Sequence, residues 1–253
     1  MTPSPADPVP SLPPSPPPSP VPPPLHAAVF ASGGGSNFQA LLDHAALDHA
    51  TLGDPSRGGA RDSGGAGSPW RCSLLVSDRP DAGALARAER AGIPTRVIPV
   101  AQRDSQEVAE EILAALQSAG IRFLLLAGYL RLIPPQVVRA FRGRILNVHP
   151  SLLPAFGGKG MYGHRIHEAV LAHGVRVTGV TVHLADEEYD RGRILAQWPV
   201  PVLPGDDTER LATRVLAVEH RLYPRVVDHL ARSLLEGREP TPMVTPSLPI
   251  PST

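Results

Sequence analysis

The chain has 253 residues, and its 24 basic side chains balance its 24 acidic ones, leaving a formal charge of +0 with histidine neutral. Domains usually run to ~100–200 residues, so one domain or a small pair is expected, and a neutral balance argues against a nucleic-acid binder that works through a basic surface. A single cysteine, Cys72, excludes an internal disulfide framework and any cluster of thiolate metal ligands, and no run of ~18 apolar residues is present to span a membrane.

The opening MTPSPADPVP has neither a basic nor an apolar stretch, so it does not read as a secretory signal, and a cytoplasmic location is expected. Of the 31 prolines, 13 fall in residues 1–24 and five in Pro240–Pro251. Residues 1–24 and 239–253 therefore read as disordered, extended tails unable to bury a core. The first is taken as passive, with an SH3-type ligand as the alternative. About 214 residues, 25–238, remain for one well-buried domain.

Inside that span the pattern alternates. The apolar run His26–Ala31 predicts a strand that stops at SGGGSN, and Phe38, Leu41 and Leu42 follow at helical spacing. Residues 51–70 are Gly/Ser-rich and aperiodic, and read as an inserted loop. A strand over Cys72–Val76, a helix over Ala82–Ala91 and a strand over Thr95–Ile98 come next. Then follow a helix over Glu107–Ser118, a doubly buried strand over Arg122–Leu126, a short helix over Pro135–Phe141 and a strand over Arg144–His149. The last elements are a helix over His164–His173, strands over Val177–Leu184 and Ile194–Val202, and a long helix over Thr208–Ser233. Alternating strands and helices predict an α/β, Rossmann-like, mostly parallel sheet flanked by helices, with antiparallel strand additions in the C-terminal half. Ligands in such sheets bind beyond the carboxyl ends of the strands, so the loops after strands are where chemistry is expected.

Three of those segments carry chemistry-bearing residues. Ser32–Asn37 (SGGGSN) opens a helix, where backbone N–H groups, the Ser36 hydroxyl and the Asn37 amide suit an anion such as phosphate. The same residues serve equally as a tight turn with Ser36 as helix cap. No G-K-[ST] follows and the spacing is not that of a dinucleotide fingerprint. Asp78 is the nearest acid after the second strand, but it precedes Arg79-Pro80 and does not suit a ribose contact. In RILNVHPSLLP, Asn147 and His149 are two apart on a strand and project to one face at its carboxyl end, while Pro150 ends the ladder. An amide beside an imidazole suits a developing oxyanion. The chain holds only two asparagines, Asn37 and Asn147, and both fall in these loops; its one lysine, Lys159, stands against 23 arginines. The third segment is the turn Asp186, Glu187, Glu188, Tyr189 and Asp190, in which Asp190 is the candidate to orient a histidine and keep it protonated. Glu187 and Glu188 read as solvated. His164 and His167 are three apart on a helix, yet no third ligand stands near them in sequence, so no metal is expected. His44, His49, His173 and His229 read as helix-surface residues.

FASGGGSNFQALL, LLLAGYLRLIP, ILNVHPSLLPAF and VHLADEEYDRGRILAQ, in this order, resemble the phosphoribosylglycinamide formyltransferases, folate-dependent enzymes of purine synthesis, over about residues 27–232. The resemblance implies that Asn147, His149 and Asp190 are the catalytic trio, and that Gly35, Ser36 and Asn37 hold the ribose phosphate of the acceptor while Glu219 contacts its glycinamide end. Leu130, Arg131, Leu132 and Ile133, with Asn147 and the turn Asp186, Glu187, Glu188, Tyr189 and Asp190, would line the folate pocket. It further implies 10-formyltetrahydrofolate as co-substrate, no metal, no nucleic-acid or membrane partner, and a monomer or homodimer. Formyltetrahydrofolate hydrolase and a non-catalytic phosphate- or nucleotide-binding module are the alternatives. The chain departs from the family in four ways, one of them the inserted loop 51–70. The stretch after His149 is about two residues longer, Arg191 follows Asp190 where a small residue is usual, and Ser105 stands where an arginine is common. Arg103 is the nearest substitute for that arginine.

Overall fold

The structure is a computed structural model that describes residues 22–50 and 67–243. Its elements are β1 (Leu25–Phe30), α1 (Ser36–Ala50), β2 (Trp70–Ser77), α2 (Gly83–Arg90), β3 (Thr95–Val97), α3 (Ser105–Ser118) and β4 (Phe123–Leu126). They continue with α4 (Pro135–Ala140), β5 (Ile145–His149), α5 (His164–Ala172), β6 (Val177–Leu184), β7 (Ile194–Pro201) and α6 (Thr208–Leu235). The seven strands form one sheet in the order β3-β2-β1-β4-β5-β6-β7. Pairing is parallel from β3 to β5 and antiparallel at β5–β6 and β6–β7, as the alternation of elements predicts.

Side-chain parity divides the core. Along β1, Ala27 and Val29 join a cluster with α1, α5 and α6, whereas Ala28 and Phe30 join a second with α3 and α4. The same division runs through β4, where Phe123 and Leu125 face one layer and Leu124 and Leu126 the other. The run RFLLL is apolar because β4 is buried on both faces. Tyr223 of α6 donates its buried hydroxyl toward the Leu126 and Leu146 carbonyls, each 3.1 Å away, and so seats the long helix against β4 and β5.

Element ends move where a side chain supplies a bond that periodicity does not register. Asp104 accepts from Gln106 N and Glu107 N and starts α3 two residues before the predicted Glu107. Trp70, expected within the inserted loop, is fully buried in β2 and donates its indole N–H to Asp228 of α6 at 2.8 Å. Residues 239–243, expected as part of a tail, lie against the fold: Met243 N donates to the Leu195 carbonyl at 2.7 Å and Arg193 donates to the Pro240 carbonyl at 2.7 Å. The rest of the two tails (1–21 and 244–253) and of the inserted loop (51–66) lies outside the described residues.

The chain goes outward from β1 to β2 and β3, then returns to place β4 on the other side of β1. The strand order therefore reverses between β1 and β4. This leaves a crevice beyond their carboxyl ends, flanked by the end of β5.

Candidate active site

The crevice is a cavity of about 1060 Å³ whose walls come from the loops after β1, β4 and β5, the turn between β6 and β7, α5, and one face of α6. Its first wall is the glycine loop. Ser32 joins it to the loop after β4, accepting from Leu130 N at 2.9 Å through its hydroxyl. Gly33, Gly34, Ser36 and Asn37 line the cavity, but Gly35 does not. Gly35 has φ +74, and a Cβ there would sit 2.8 Å from the Ala84 Cβ, so its role is to let the loop turn against α2.

At the base of this wall the Asn37 Nδ2 donates to Glu219 across 182 residues of sequence. The Asn37 Oδ1 is buried and has no hydrogen-bond partner among the described residues. A carbonyl and a carboxyl side by side form an acceptor pair, which suits a group rich in N–H such as an amine or ammonium. Burial pushes the Glu219 carboxyl up to about 7, with the Asn37 bond pulling it partway back. The folded state thus binds this proton more tightly than the unfolded chain, where the ordinary value is 4.5. The stability it contributes is complete below pH 4.5 and is lost as the pH rises through about 7. Glu219→Gln is therefore expected to stabilise the substrate-free protein at pH 8, by up to about 3 kcal/mol, and to leave it unchanged near pH 4. Thermal melts of both proteins at the two pH values check this; a Tm gain that persists undiminished at pH 4 would contradict the sign.

The second wall is the carboxyl end of β5. Asn147 and His149 both face the cavity from this strand, as their spacing predicts. Antiparallel pairing sets His183 of β6 directly opposite Asn147, and the Asn147 Nδ2 lies 3.0 Å from the His183 Nε2. The His183 Nδ1 is 3.0 Å from the Leu184 carbonyl. Because that oxygen can only accept, the His183 Nδ1 carries a hydrogen, and its Nε2 meets the Asn147 amide in a hydrogen bond. This bond aims the Asn147 amide. Sequence reasoning missed His183, since its partner is set by strand register rather than by spacing along the chain.

Asp190, at φ +57, brings its Oδ1 to 3.5 Å from the His149 Nδ1 and 3.6 Å from the His183 Nε2. Its Oδ2 accepts from Gly158 N at 2.8 Å. Burial opposes charge on this carboxyl, but contacts with His183, His149 and Gly158 outweigh it, holding the carboxyl below its ordinary range. His149 corrects an expectation. Burial lowers its pKa more than Asp190 and the Phe156 carbonyl raise it, with His183 adding to the lowering. The packed site thus favours the neutral imidazole over the protonated one expected, because desolvation of a cation outweighs one carboxylate at 3.5 Å.

The third wall holds Leu130, Arg131, Leu132 and Ile133, facing Asp186, Glu188, Tyr189 and Asp190 across the cavity. Glu187, also expected here, is not on the wall; it is exposed and lies 3.5 Å from Arg139 of α4. Asp78, set aside as a ribose contact, is a buried carboxylate that pins the Arg131 guanidinium at 2.9 Å. Arg103 is held by Glu111 at 2.8 Å and by the Pro99 carbonyl. His164 and His167 both line the cavity, and burial lowers His167 to about 4, with His164 and His149 adding to the effect. Among the described residues no three His, Cys, Asp or Glu side chains gather around a common metal position. Of the four histidines read as surface residues, His44 is half-buried and paired with Asp228 at 2.9 Å, while the His173 ring stands edge-on to Phe156. His229 donates to the Thr241 carbonyl, and the side chain of His49 lies outside the description.

Known proteins are similar to this chain in sequence and fold. The formyl transferase family model matches residues 59–227. The chloroplastic phosphoribosylglycinamide formyltransferase of Arabidopsis thaliana is 45% identical over 214 residues, covering 84% of this chain and 67% of the relative. The human trifunctional purine biosynthetic protein adenosine-3 is 35% identical over 210 residues, covering 83% of this chain and 18% of that much longer protein. Among solved structures, glycinamide ribonucleotide transformylase 1 of Symbiobacterium toebii superposes with a TM-score of 0.70 at 37% identity, covering 83% of this chain and 89% of that one.

Proposed function

The chain belongs to the formyl transferase family, and we propose that it moves a formyl group from 10-formyltetrahydrofolate to the amine of phosphoribosylglycinamide. It is a formyl-transferring enzyme with a role in purine biosynthesis, as its relatives are. One observation carries the assignment of roles. A single cavity has the Asn37–Glu219 acceptor pair at the base of its glycine-loop wall and the Asn147, His149 and Asp190 group at the end of β5. The first suits an amine attached to a phosphorylated ribose, and the second suits a carbonyl that must become a tetrahedral oxyanion.

The folate is a substrate here, consumed once per turnover. Ser36 and Asn37, at the start of α1, offer N–H groups to the phosphate of the acceptor. Glu219 and the free Oδ1 of Asn37 receive its amine end. As the amine nitrogen bonds to the formyl carbon, the carbonyl electron pair moves onto oxygen, where the Asn147 amide donates. His149, neutral beforehand, takes the proton that the attacking nitrogen sheds and returns it to N10 as the bond from N10 to the formyl carbon breaks. Asp190 stabilises the imidazolium that exists between those two transfers. The wall of Leu130, Arg131, Leu132 and Ile133 with the Asp186–Asp190 turn would hold the pterin, with Glu187 left out of that set. We place the reaction in the cytoplasm with small-molecule partners only.

Mixing the purified protein with both substrates and following release of tetrahydrofolate tests the reading. Release that requires phosphoribosylglycinamide supports it; release at the same rate without the acceptor identifies a hydrolase instead.

A further inference from the structure

We propose that the turn Phe156–Gly157–Gly158 is a positioning element that fixes the ring tautomer of His149, so that Nδ1 is the nitrogen that exchanges the catalytic proton. This rests on the formyl-transfer reading for its consequence in turnover, but not for its geometry.

The turn touches both members of the His149–Asp190 pair. The Phe156 carbonyl lies 3.0 Å from the His149 Nε2. A carbonyl oxygen accepts and never donates, so Nε2 carries the hydrogen, and in the neutral ring the lone pair is left on Nδ1. That Nδ1 faces Asp190 Oδ1 at 3.5 Å, too long for a hydrogen bond, so no bond holds it back from taking a proton. Once protonated, the ring is an imidazolium with Asp190 near one nitrogen and the Phe156 carbonyl on the other. Two residues on, Gly158 N donates to Asp190 Oδ2 at 2.8 Å, which leaves Oδ1 as the oxygen directed to the ring. Gly157 packs directly on the pair: a Cβ there would be 3.3 Å from the Asp190 Cβ and would collide with the Leu153 Cδ2.

The turn is held in this position by bonds that lead back to the sheet. Gln197 of β7 donates to the Thr181 hydroxyl and the Leu153 carbonyl, and Thr181 of β6 donates to the Ser151 carbonyl at 2.7 Å. Ser151, fully buried, donates to the Ala155 carbonyl at 2.6 Å. Phe156 itself sits at φ +55, a conformation costly for a residue with a Cβ, and its ring stands edge-on to His173 at 5.4 Å. This strained backbone is what turns its carbonyl onto His149.

The test is ring-15N NMR of the histidine-labelled full chain without substrates, with His149 assigned by the signals missing from His149→Gln. Above its pKa, His149 is expected to show a protonated Nε2 and an unprotonated Nδ1. Phe156→Ala, which removes the ring anchor, and Gly157→Ala, which pushes on Asp190, are expected to mix the tautomers. Each should lower kcat by about 10–100-fold, the usual range for an outer group that orients a ligand or base, with KM for both substrates unchanged. The opposite tautomer in the parent protein overturns the proposal. So does a kcat loss in Phe156→Ala with unaltered His149 signals, since that marks a merely structural role. If Gly157→Ala does not fold, Phe156→Ala and the parent spectrum decide. A protein with the stated tautomer but no transferase activity would overturn the functional reading and leave the geometric one standing.

Discussion

His149→Ala is expected to reduce kcat by about 10²–10⁴-fold, the range for removal of a general acid–base group or an oxyanion donor. KM for the acceptor should change little, because the residues proposed to bind it, Ser36, Asn37 and Glu219, line the cavity from other elements of the fold. The protein should still fold. His149 is buried, yet its bonds run to a loop carbonyl rather than into either apolar cluster, so alanine leaves a small polar gap beside the open cavity. Steady-state kinetics with both substrates, alongside circular dichroism, distinguish the outcomes. A near-normal kcat in a folded variant removes His149 from the proton path.

Asp190→Asn should cost turnover on a comparable scale, about 10²–10⁴-fold, for a different reason. Asparagine accepts the left-handed conformation at φ +57 and can still take the Gly158 N–H bond, so the turn keeps its shape. What is lost is the negative charge 3.5 Å from the imidazole. That charge raises the His149 pKa against its burial, and without it the imidazolium formed during transfer is less stable. The sign of the pH effect follows. In the proposed mechanism His149 is neutral when it receives the proton, so activity is expected to fall as the pH drops through its pKa. Lowering that pKa further moves the acid limb of kcat/KM to lower pH in Asp190→Asn. Of the other titratable groups near the ring, His167 is perturbed by burial, His164 and His149, whereas His183 lies 3.6 Å from the same Asp190 oxygen and loses the same charge, so the comparison is repeated in a His183→Gln background to isolate His149. A limb that moves upward, or one that stays in place, counts against the pairing. Because the two residues act on one proton, combining His149→Ala with Asp190→Asn should cost scarcely more than His149→Ala alone.

Much of this site could be read along the chain. Asn147 and His149 fall two apart on a strand, and a strand sends such residues to one face whatever surrounds it. The glycine loop opens a helix because φ +74 at Gly35 is available to glycine at no steric cost. The order of strands and helices restricts the fold to a few sheets, and the crevice beyond their carboxyl ends follows from topology. These are local properties, fixed by the covalent geometry of a few neighbouring residues.

Partnership and protonation were decided elsewhere. The Asn147–His183 bond exists because β5 and β6 pair antiparallel in one particular register, and a one-residue slip would send His183 to the opposite face. Asn37 meets Glu219 only because α6 crosses the sheet next to α1. Glu187, one of five adjacent candidates in its turn, points out to Arg139, which no spacing rule distinguishes from its neighbours. The neutral state of His149 reverses the charge expected for a histidine beside an acid, because that charge depends on how much water the packed fold excludes. Residue order along a polymer dictates which way its neighbouring side chains turn; dielectric surroundings and distant partners arise only when the whole core closes around them.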